Sequence, residues 1–179
     1  MTPRPTTEVS VVVLDSMDRM YGQLVDRLAG LTADEYLWEP VAGMWSVRPS
    51  AGEQPIVDGA GDREADPPPV TTIAWRLWHI AVDCFDDYTR RFDGDTADAS
   101  AEWTIDPGEA IAILDEKWRA YRATIAARSW WDELGDNWGP WSRHSTADMA
   151  MHAGNELVHH AAEIALLRDL YGAAFSGGA

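Results

Sequence analysis

The fold is decided by residues 145–171, STADMAMHAGNELVHHAAEIALLRDLY, which have the pattern of one long helix. Four polar side chains recur along it at spacings of four, four and three: His152, Glu156, His160 and Glu163. Such spacings stack side chains on one face of an α-helix. Leu167 and Leu170 continue this face, so we expect both to be buried. A row of His and Glu that runs into an apolar stripe indicates metal ligation.

The composition is that of a globular protein. The chain has 179 residues, of which 46% are hydrophobic and 25% charged, and its net charge is −16. We expect a single domain over residues 1–179, with disordered tails at 1–7 and 174–179. The acidity argues against binding to nucleic acid or to an anionic membrane surface, because both require a cationic surface. Ten tryptophans predict a large aromatic component in the core or in a pocket.

The cellular setting is inferred from three negative observations. Cys84 is the single cysteine, which excludes an internal disulfide and suits a reducing compartment. We expect this thiol to behave as a small buried apolar residue. The N-terminal sequence lacks the pattern of a signal peptide, and no stretch approaches the ~20 apolar residues of a membrane span. The expected location is the cytoplasm.

Three further long helices are predicted from helical periodicity and from capping signals. The first covers roughly residues 9–31, and Thr32 with Glu35 forms a capping box for a short turn after it. The second covers residues 70–93, with a broad apolar surface that suggests a central position. The third begins at Asp106, followed by proline, and ends near residue 128. Ser145 with Asp148 is a capping-box signal for the fourth helix, which we expect to end at Gly172.

The connections between these helices differ in character. Residues 39–70 hold most of the prolines and show no persistent period, which predicts a long functional or mobile crossover between the first two helices. Residues 129–144 form a loop rich in Trp and Gly. No run of residues predicts a strand. The expected fold is therefore all-α, a four-helix bundle with one long crossover. Three loop tryptophans are candidates for a pocket mouth: Trp45, Trp138 and Trp141.

A metal site follows from this fold, because bundle cores build such sites from facing helices. Glu156 and His160 can hold one ion from a single helix, and His79 on the second helix can supply a third ligand across the core. Two imidazoles and a carboxylate suit Zn²⁺ first, and also Ni²⁺ or Fe²⁺. Three protein ligands leave an open position, as catalytic sites do. We expect Glu163 and His159 around the ligands or in the wall of the site.

Simpler interpretations of the same residues remain open. A Glu and a His four apart occur in many helices as a surface hydrogen-bonded pair, and His79 alone could be a core histidine bonded to a carbonyl group. His152 and His159 are more typical of a helix face than of a ligand set, and His144 belongs to a loop. The spacing alone does not separate these alternatives.

The chain resembles the DinB-like superfamily of four-helix metalloproteins, whose relatives include mycothiol-dependent maleylpyruvate isomerases and bacillithiol transferases. Three segments carry the resemblance: TIAWRLWHI at residues 72–80, NELVHHAAEIALLRDLY at 155–171, and WSVR at 45–48. Helix order and length agree as well, so the resemblance covers nearly the whole chain. The C-terminal segment is its most specific part.

The resemblance implies that His79, Glu156 and His160 hold a divalent metal. Many relatives have three histidines, and the glutamate in the middle position is similar to the isomerase branch. Some relatives have a further histidine where Glu163 stands, so this residue could ligate, assist proton transfer or support the ligands. The resemblance also implies a low-molecular-weight thiol as cosubstrate and a homodimeric assembly.

Two classes of function follow. The first is a metal-dependent thiol S-transferase or isomerase acting on a small electrophile, with a metal-water hydrolase as a variant. Glu163 and Arg76, or Arg48, are then the candidates for orienting the substrate. The second is a non-catalytic stress-response or binding protein whose metal site is degenerate or structural.

Overall fold

Four long helices run through the computed structural model, which describes residues 8–51, 54–62, 65–67 and 69–175. The first is α1, Val9–Leu28, and a short helix α2, Ala33–Tyr36, follows it. The second long helix spans residues 73–92, and the third is α5, Pro107–Ala126. The fourth is α6, Thr146–Phe175. Of the expected tails at 1–7 and 174–179, residues 1–7 and 176–179 lie outside the described residues, whereas residues 174 and 175 belong to α6.

The four long helices form a closed square around one core, which confirms the all-α bundle. Helix α1 packs against α5 and α6, and the second long helix packs against the same two neighbours. Each long helix contributes large apolar side chains that are almost fully buried between them: Met17, Leu24, Leu28, Ile73, Leu77, Ile80, Phe85, Leu114, Tyr121, Ile125, Leu157 and Ile164. Burial of these faces is the main favourable contribution to the fold.

The second long helix is not a uniform α-helix. It consists of α3, Ile73–Trp78, a π-helical segment, His79–Asp86, and α4, Asp87–Phe92. Apolar periodicity correctly predicted a helix over these residues, but it could not indicate the change in winding. π-Helical turns are rare in proteins, and those that occur are often found at functional sites. The π segment begins at His79, one of the expected ligands.

The crossover between the first two long helices is more ordered than predicted. It contains two short antiparallel strands, β1, Val47–Arg48, and β2, Ile56–Val57, with Val47 opposite Val57. The absence of strands was therefore a wrong prediction, because two-residue strands are too short to produce a periodic pattern. Hydrogen bonds from Trp45 N to Val70 O and from Thr72 N to Trp45 O, both 3.0 Å, attach the crossover to the start of α3.

The capping signals of the sequence are largely confirmed. Asp106 accepts a hydrogen bond from Glu109 N at 2.7 Å, and the box of Ser145 and Asp148 is reciprocal. Thr32 caps α2 as predicted, but the side chain of Glu35 does not complete the box. Its buried carboxylate instead binds the guanidinium of Arg168 on α6, with contacts of 2.7 and 3.1 Å.

Helix ends depart from the predictions by a few residues. Helix α1 ends at Leu28 rather than Leu31, while α6 continues past Gly172 to Phe175. Leu167 is buried as expected, but Leu170 is 46% exposed. The last turns of α6 contact Trp38 through Tyr171, which lies ~100° around the helix from Leu170. The prediction for Leu170 was wrong because the buried face shifts at this end.

The tryptophan-rich loop between α5 and α6 contains a 3₁₀ helix, Asp136–Trp141. Trp138 is buried there against Phe92, with ring centroids 4.8 Å apart. This contact holds the loop over the second long helix. Within the described residues, no helix is long and apolar enough to cross a membrane.

Candidate metal centre

The structure brings the three expected ligands together. His79 is the first residue of the π segment, while Glu156 and His160 lie one turn apart on α6. Their ligand atoms all lie within 4.8 Å of one another, and the two imidazole rings meet edge to face with centroids 4.7 Å apart. The packing of the second long helix against α6 therefore brings His79 to Glu156, which lies 77 positions later in the chain.

The distances in the cluster match the donor set of a divalent metal. Oε2 of Glu156 lies 3.3 Å from Nε2 of His79 and 3.2 Å from Nε2 of His160. Two donors bound tetrahedrally at zinc distances of ~2.0–2.1 Å stand about 3.4 Å apart. The oxygen of Glu156 therefore stands from each imidazole nitrogen at nearly the separation of two donors on one zinc ion.

A carboxylate at the far nitrogen orients each imidazole. Nδ1 of His79 lies 3.0 Å from Asp83, and Nδ1 of His160 lies 2.8 Å from Glu163. A carboxylate in this position favours hydrogen on Nδ1 and leaves the Nε2 lone pair for an ion. At His160 the guanidinium of Arg76 also lies 3.1 Å from Nδ1 and competes with this effect. Both rings therefore present the same nitrogen to the same carboxylate of Glu156. Asp83 stands four residues after His79, and this spacing is the signal in the sequence that predicts a contact between its carboxylate and the imidazole.

The π-helical winding explains the surroundings of His79. Because the i→i+5 pattern turns the chain less per residue than an α-helix does, residues four and five positions ahead both lie over this ring. Asp83 contacts Nδ1, and the thiol of Cys84 lies 3.6 Å from Nε2. Cys84 is buried, as predicted, and burial raises the pKa of its thiol. Among the described residues, the cluster of close ligand atoms does not include this sulfur.

Arg76 and Glu163 form an ion pair behind His160. The guanidinium of Arg76 is buried and donates to Oε2 of Glu163, the oxygen that also contacts His160. Burial lowers the pKa of Arg76 to about 10, which leaves the group charged at neutral pH. His159, His160 and Glu163 form a second cluster of close ligand atoms, but the cation of Arg76, which contacts His160 and Glu163, opposes the binding of a metal there.

The electrostatics of the centre are those of a cation site. Hydrogen bonds from His160 and then His79 lower the pKa of Glu156 well below its ordinary value. Burial lowers the pKa of His79, but contacts with Asp83, Cys84 and Glu156 outweigh it and raise this pKa to about 12. Burial also lowers the pKa of His160. In the metal-free protein, a proton on His79 therefore supplies the positive charge that the carboxylates attract.

A cleft of about 770 Å³ opens beside the centre. His79 and Glu156 line it, whereas His160 stands behind them, so an ion held by all three would face the cleft. Among the described lining residues are all three tryptophans that the sequence placed at a pocket mouth, Trp45, Trp138 and Trp141. The site therefore has the open side that an incoming ligand requires.

The wall next to His79 is built from tryptophan rings. Trp75 stacks on the imidazole of His79 at a centroid distance of 5.2 Å and donates from Nε1 to the carbonyl oxygen of Asp58 at 2.9 Å. Trp45 lies over Gly59, whose φ of +61° is left-handed. A Cβ at Gly59 would stand 2.4 Å from the Trp45 ring, so this close approach requires glycine.

Other candidate residues lie away from the ligands. In the described chain, Arg76 and Glu163 are not part of the cleft lining and contact His160 instead. Arg48 also lies outside the lining, where it binds Asp58 at 2.8 Å. His152 does line the cleft, with its ring 5.7 Å from that of Trp141. His144 lies in the loop before α6, as predicted.

The fold and the site place the chain in a class of helical proteins: four-helix bundles with a candidate metal centre. Here that centre consists of two histidines and one glutamate at the edge of a cleft. The family model of the DinB superfamily matches residues 16–164, which include all three candidate ligands. The chain belongs to the DinB superfamily. A comparison with curated proteins gave no match, and a comparison with solved structures gave none either.

Proposed function

We propose that this protein is a metal-dependent enzyme that uses His79, Glu156 and His160 to hold a divalent ion, with zinc favoured. The observation that carries the proposal is that both imidazoles aim Nε2 at one oxygen of Glu156 beside an open cleft. Two nitrogens and one carboxylate oxygen are a common donor set of catalytic zinc, and three protein ligands leave a position for substrate.

The reaction we propose is transfer of a low-molecular-weight thiol to a small electrophile, or an isomerisation that a thiol assists. A bound divalent ion would supply a Lewis acid that lowers the pKa of a coordinated thiol or water. The thiol part of this proposal is supported by the resemblance to thiol-using members of the superfamily. The cleft supports a small-molecule substrate through its size.

The residues of the chain would divide the remaining work. Asp83 and Glu163 fix the tautomers of the two histidines, and Arg76 holds Glu163 in place. We therefore propose that Arg76 and Glu163 act as positioning residues for His160. The tryptophan wall beside His79 would provide apolar surface for the substrate.

The alternative is a non-catalytic binding protein with a degenerate site, and one observation favours it. Glu156 contacts both imidazoles, and Asp83 and Glu163 lie beside their far nitrogens, so each imidazole has a carboxylate near both of its nitrogens without an ion. A polar network of this kind can be retained for structure alone. Measured metal content separates the two functions.

The test of the enzymatic proposal is an S-transfer assay with cysteamine and 1-chloro-2,4-dinitrobenzene on the zinc-loaded protein. In this substitution a C–S bond forms, the C–Cl bond breaks, chloride leaves and the thiol proton passes to solvent. We expect turnover by wild type and by His144→Ala, and loss of at least ~100-fold in His160→Ala. Equal rates in wild type and His160→Ala would contradict a metal-dependent mechanism.

A further inference from the structure

A fourth histidine of the polar row on α6, counted with its glutamates, lies in the cleft next to the candidate metal centre. His152 and Glu156 are four residues apart on α6, so they share a face of the helix and stand one turn, ~6 Å, apart along its axis. Both side chains belong to the described cleft lining. A ligand bound beside Glu156 therefore lies close to the imidazole of His152.

The ring nitrogens of His152 are available to such a ligand. The chain has five histidines, and four of them have a ring nitrogen within 4.0 Å of a carboxylate oxygen: His79, His144, His159 and His160. His152 differs from these four, because in the part of the chain that the structure describes its nitrogens form no hydrogen bond or ion pair. One nitrogen of a neutral imidazole accepts a hydrogen bond and the other donates one.

Two aromatic rings hold the imidazole of His152 in place. The ring of Trp141 lies 5.7 Å from it between centroids, with 30° between the two planes. Tyr88, on the second long helix, contacts it at 5.9 Å. These contacts use the faces and edges of the rings, so they position the imidazole without occupying its nitrogens.

The other titratable groups of the described lining are less suited to accept a proton from a thiol. Burial raises the pKa of Cys84 and of Tyr88, so both groups keep their own protons near neutral pH. Carboxylates ordinarily ionise near pH ~4 and are weak bases for a thiol with a pKa of ~8.5. His79 is a candidate ligand, and the guanidinium of Arg91 has no acceptor. An imidazole is the side chain best matched to proton transfer near neutral pH.

We propose that His152 is the catalytic base of this cleft and takes the proton from a thiol that binds beside the candidate metal centre. The S–H bond breaks, its electron pair stays on sulfur, and the proton bonds to the acceptor nitrogen of the imidazole. The ~6 Å between the two turns is about two hydrogen-bond lengths, so a sulfur atom between them is within reach of His152. The imidazolium then gives the proton to solvent. This inference rests on the proposed function, because it adds a residue to the same reaction.

The test measures how fast a thiol binds to the cobalt-substituted protein, by stopped-flow detection of sulfur-to-cobalt charge-transfer absorption at pH 7. Cysteamine is mostly protonated at this pH, whereas pentafluorothiophenol is already ionised and needs no base. In His152→Gln we expect cysteamine to bind at least ~10-fold more slowly than in wild type. Pentafluorothiophenol should bind to both proteins at the same rate.

His144→Gln is the matched control. The ring of His144 also packs against Trp141, with centroids 4.7 Å apart, but it is not part of the described cleft lining. This variant should bind both thiols at the wild-type rate. Equal slowing of both thiols in His152→Gln would overturn the proposal, because a structural defect acts whether or not the thiol is ionised. An unchanged rate with cysteamine, or no charge-transfer absorption with either thiol, would overturn it as well.

Metal content and turnover keep this inference apart from the proposed function. Wild type and His152→Gln that transfer cysteamine at equal rates when loaded with zinc would support the enzyme and overturn the role of His152. A wild type that binds cobalt and cysteamine without turnover would contradict the S-transfer reaction, while the binding rates still decide the role of His152. A wild type that takes up neither cobalt nor zinc would overturn both proposals.

Discussion

Nε2 of His79 lies 3.3 Å from Oε2 of Glu156, across the contact between the second long helix and α6. This distance is nearly that between two donors on one tetrahedral metal ion. Because the same oxygen is also 3.2 Å from Nε2 of His160, the three side chains converge on a single point. The following predictions depend on that convergence and on the groups that maintain it.

Glu163 should control metal affinity without contacting the ion. Glu163→Gln weakens the acceptor at Nδ1 of His160, so we expect the dissociation constant for zinc to rise by ~10–100-fold. Glu116→Gln, an exposed change on α5, is the control. Competition with a chromophoric chelator measures both constants. A zinc affinity that is the same in both variants would contradict the positioning role.

Zinc binding should release one proton near neutral pH. The pKa of His79 is raised to about 12 in the metal-free fold, while that of His160 is lowered, so only His79 must lose a proton to bind the ion. Zinc affinity should then rise by about tenfold per pH unit between pH 7 and 9. Calorimetry in buffers of different ionisation enthalpy counts the proton, and a pH-independent affinity would contradict this account.

Glu156 should stabilise the metal-free protein above acid pH. Its pKa in the folded chain is lowered by His160 and then His79, so its contribution is present above pH ~4.5 and is lost as the pH falls below that value. Urea unfolding of wild type and Glu156→Gln between pH 7 and 3 measures the difference in unfolding free energy. We expect this difference to shrink toward pH 3, and a constant difference would refute the assignment.

Cys84 should not be a metal ligand, although its sulfur is 3.6 Å from Nε2 of His79. The described cluster of close ligand atoms contains His79, Glu156 and His160 without this sulfur. Cys84→Ala should therefore keep one zinc per chain. Cobalt-substituted wild type should lack sulfur-to-metal charge-transfer absorption until an external thiol is added, and such absorption without added thiol would show that Cys84 ligates.

Much of the bundle could be predicted from the sequence because its signals are local. Apolar periodicity and the capping residues Asp106 and Ser145 predicted the long helices, and i,i+4 spacing predicted that Glu156 and His160 share a face. His79 was proposed as their partner across the core from its place on the second helix, and the resemblance implied the same residue. Each of these predictions depends on residues that are close together in the sequence, or on a sequence motif that the chain shares with a known family.

The remaining features depend on tertiary contacts that no local pattern encodes. The π segment that brings both Asp83 and Cys84 over His79 lies where the second long helix packs against α5 and α6. The strands of the crossover are two residues each, too short for a pattern. Arg76 was expected at the substrate, but the structure places its guanidinium at Glu163 behind His160.

The most direct test of the central claim is metal content per chain, measured by plasma mass spectrometry on untagged protein after zinc reconstitution and gel filtration. The account predicts close to one zinc in wild type and in His144→Ala, and almost none in His79→Ala or His160→Ala, with circular dichroism showing all four proteins folded. Zinc-free wild type, or zinc retained in both ligand variants, would contradict the three-residue metal centre.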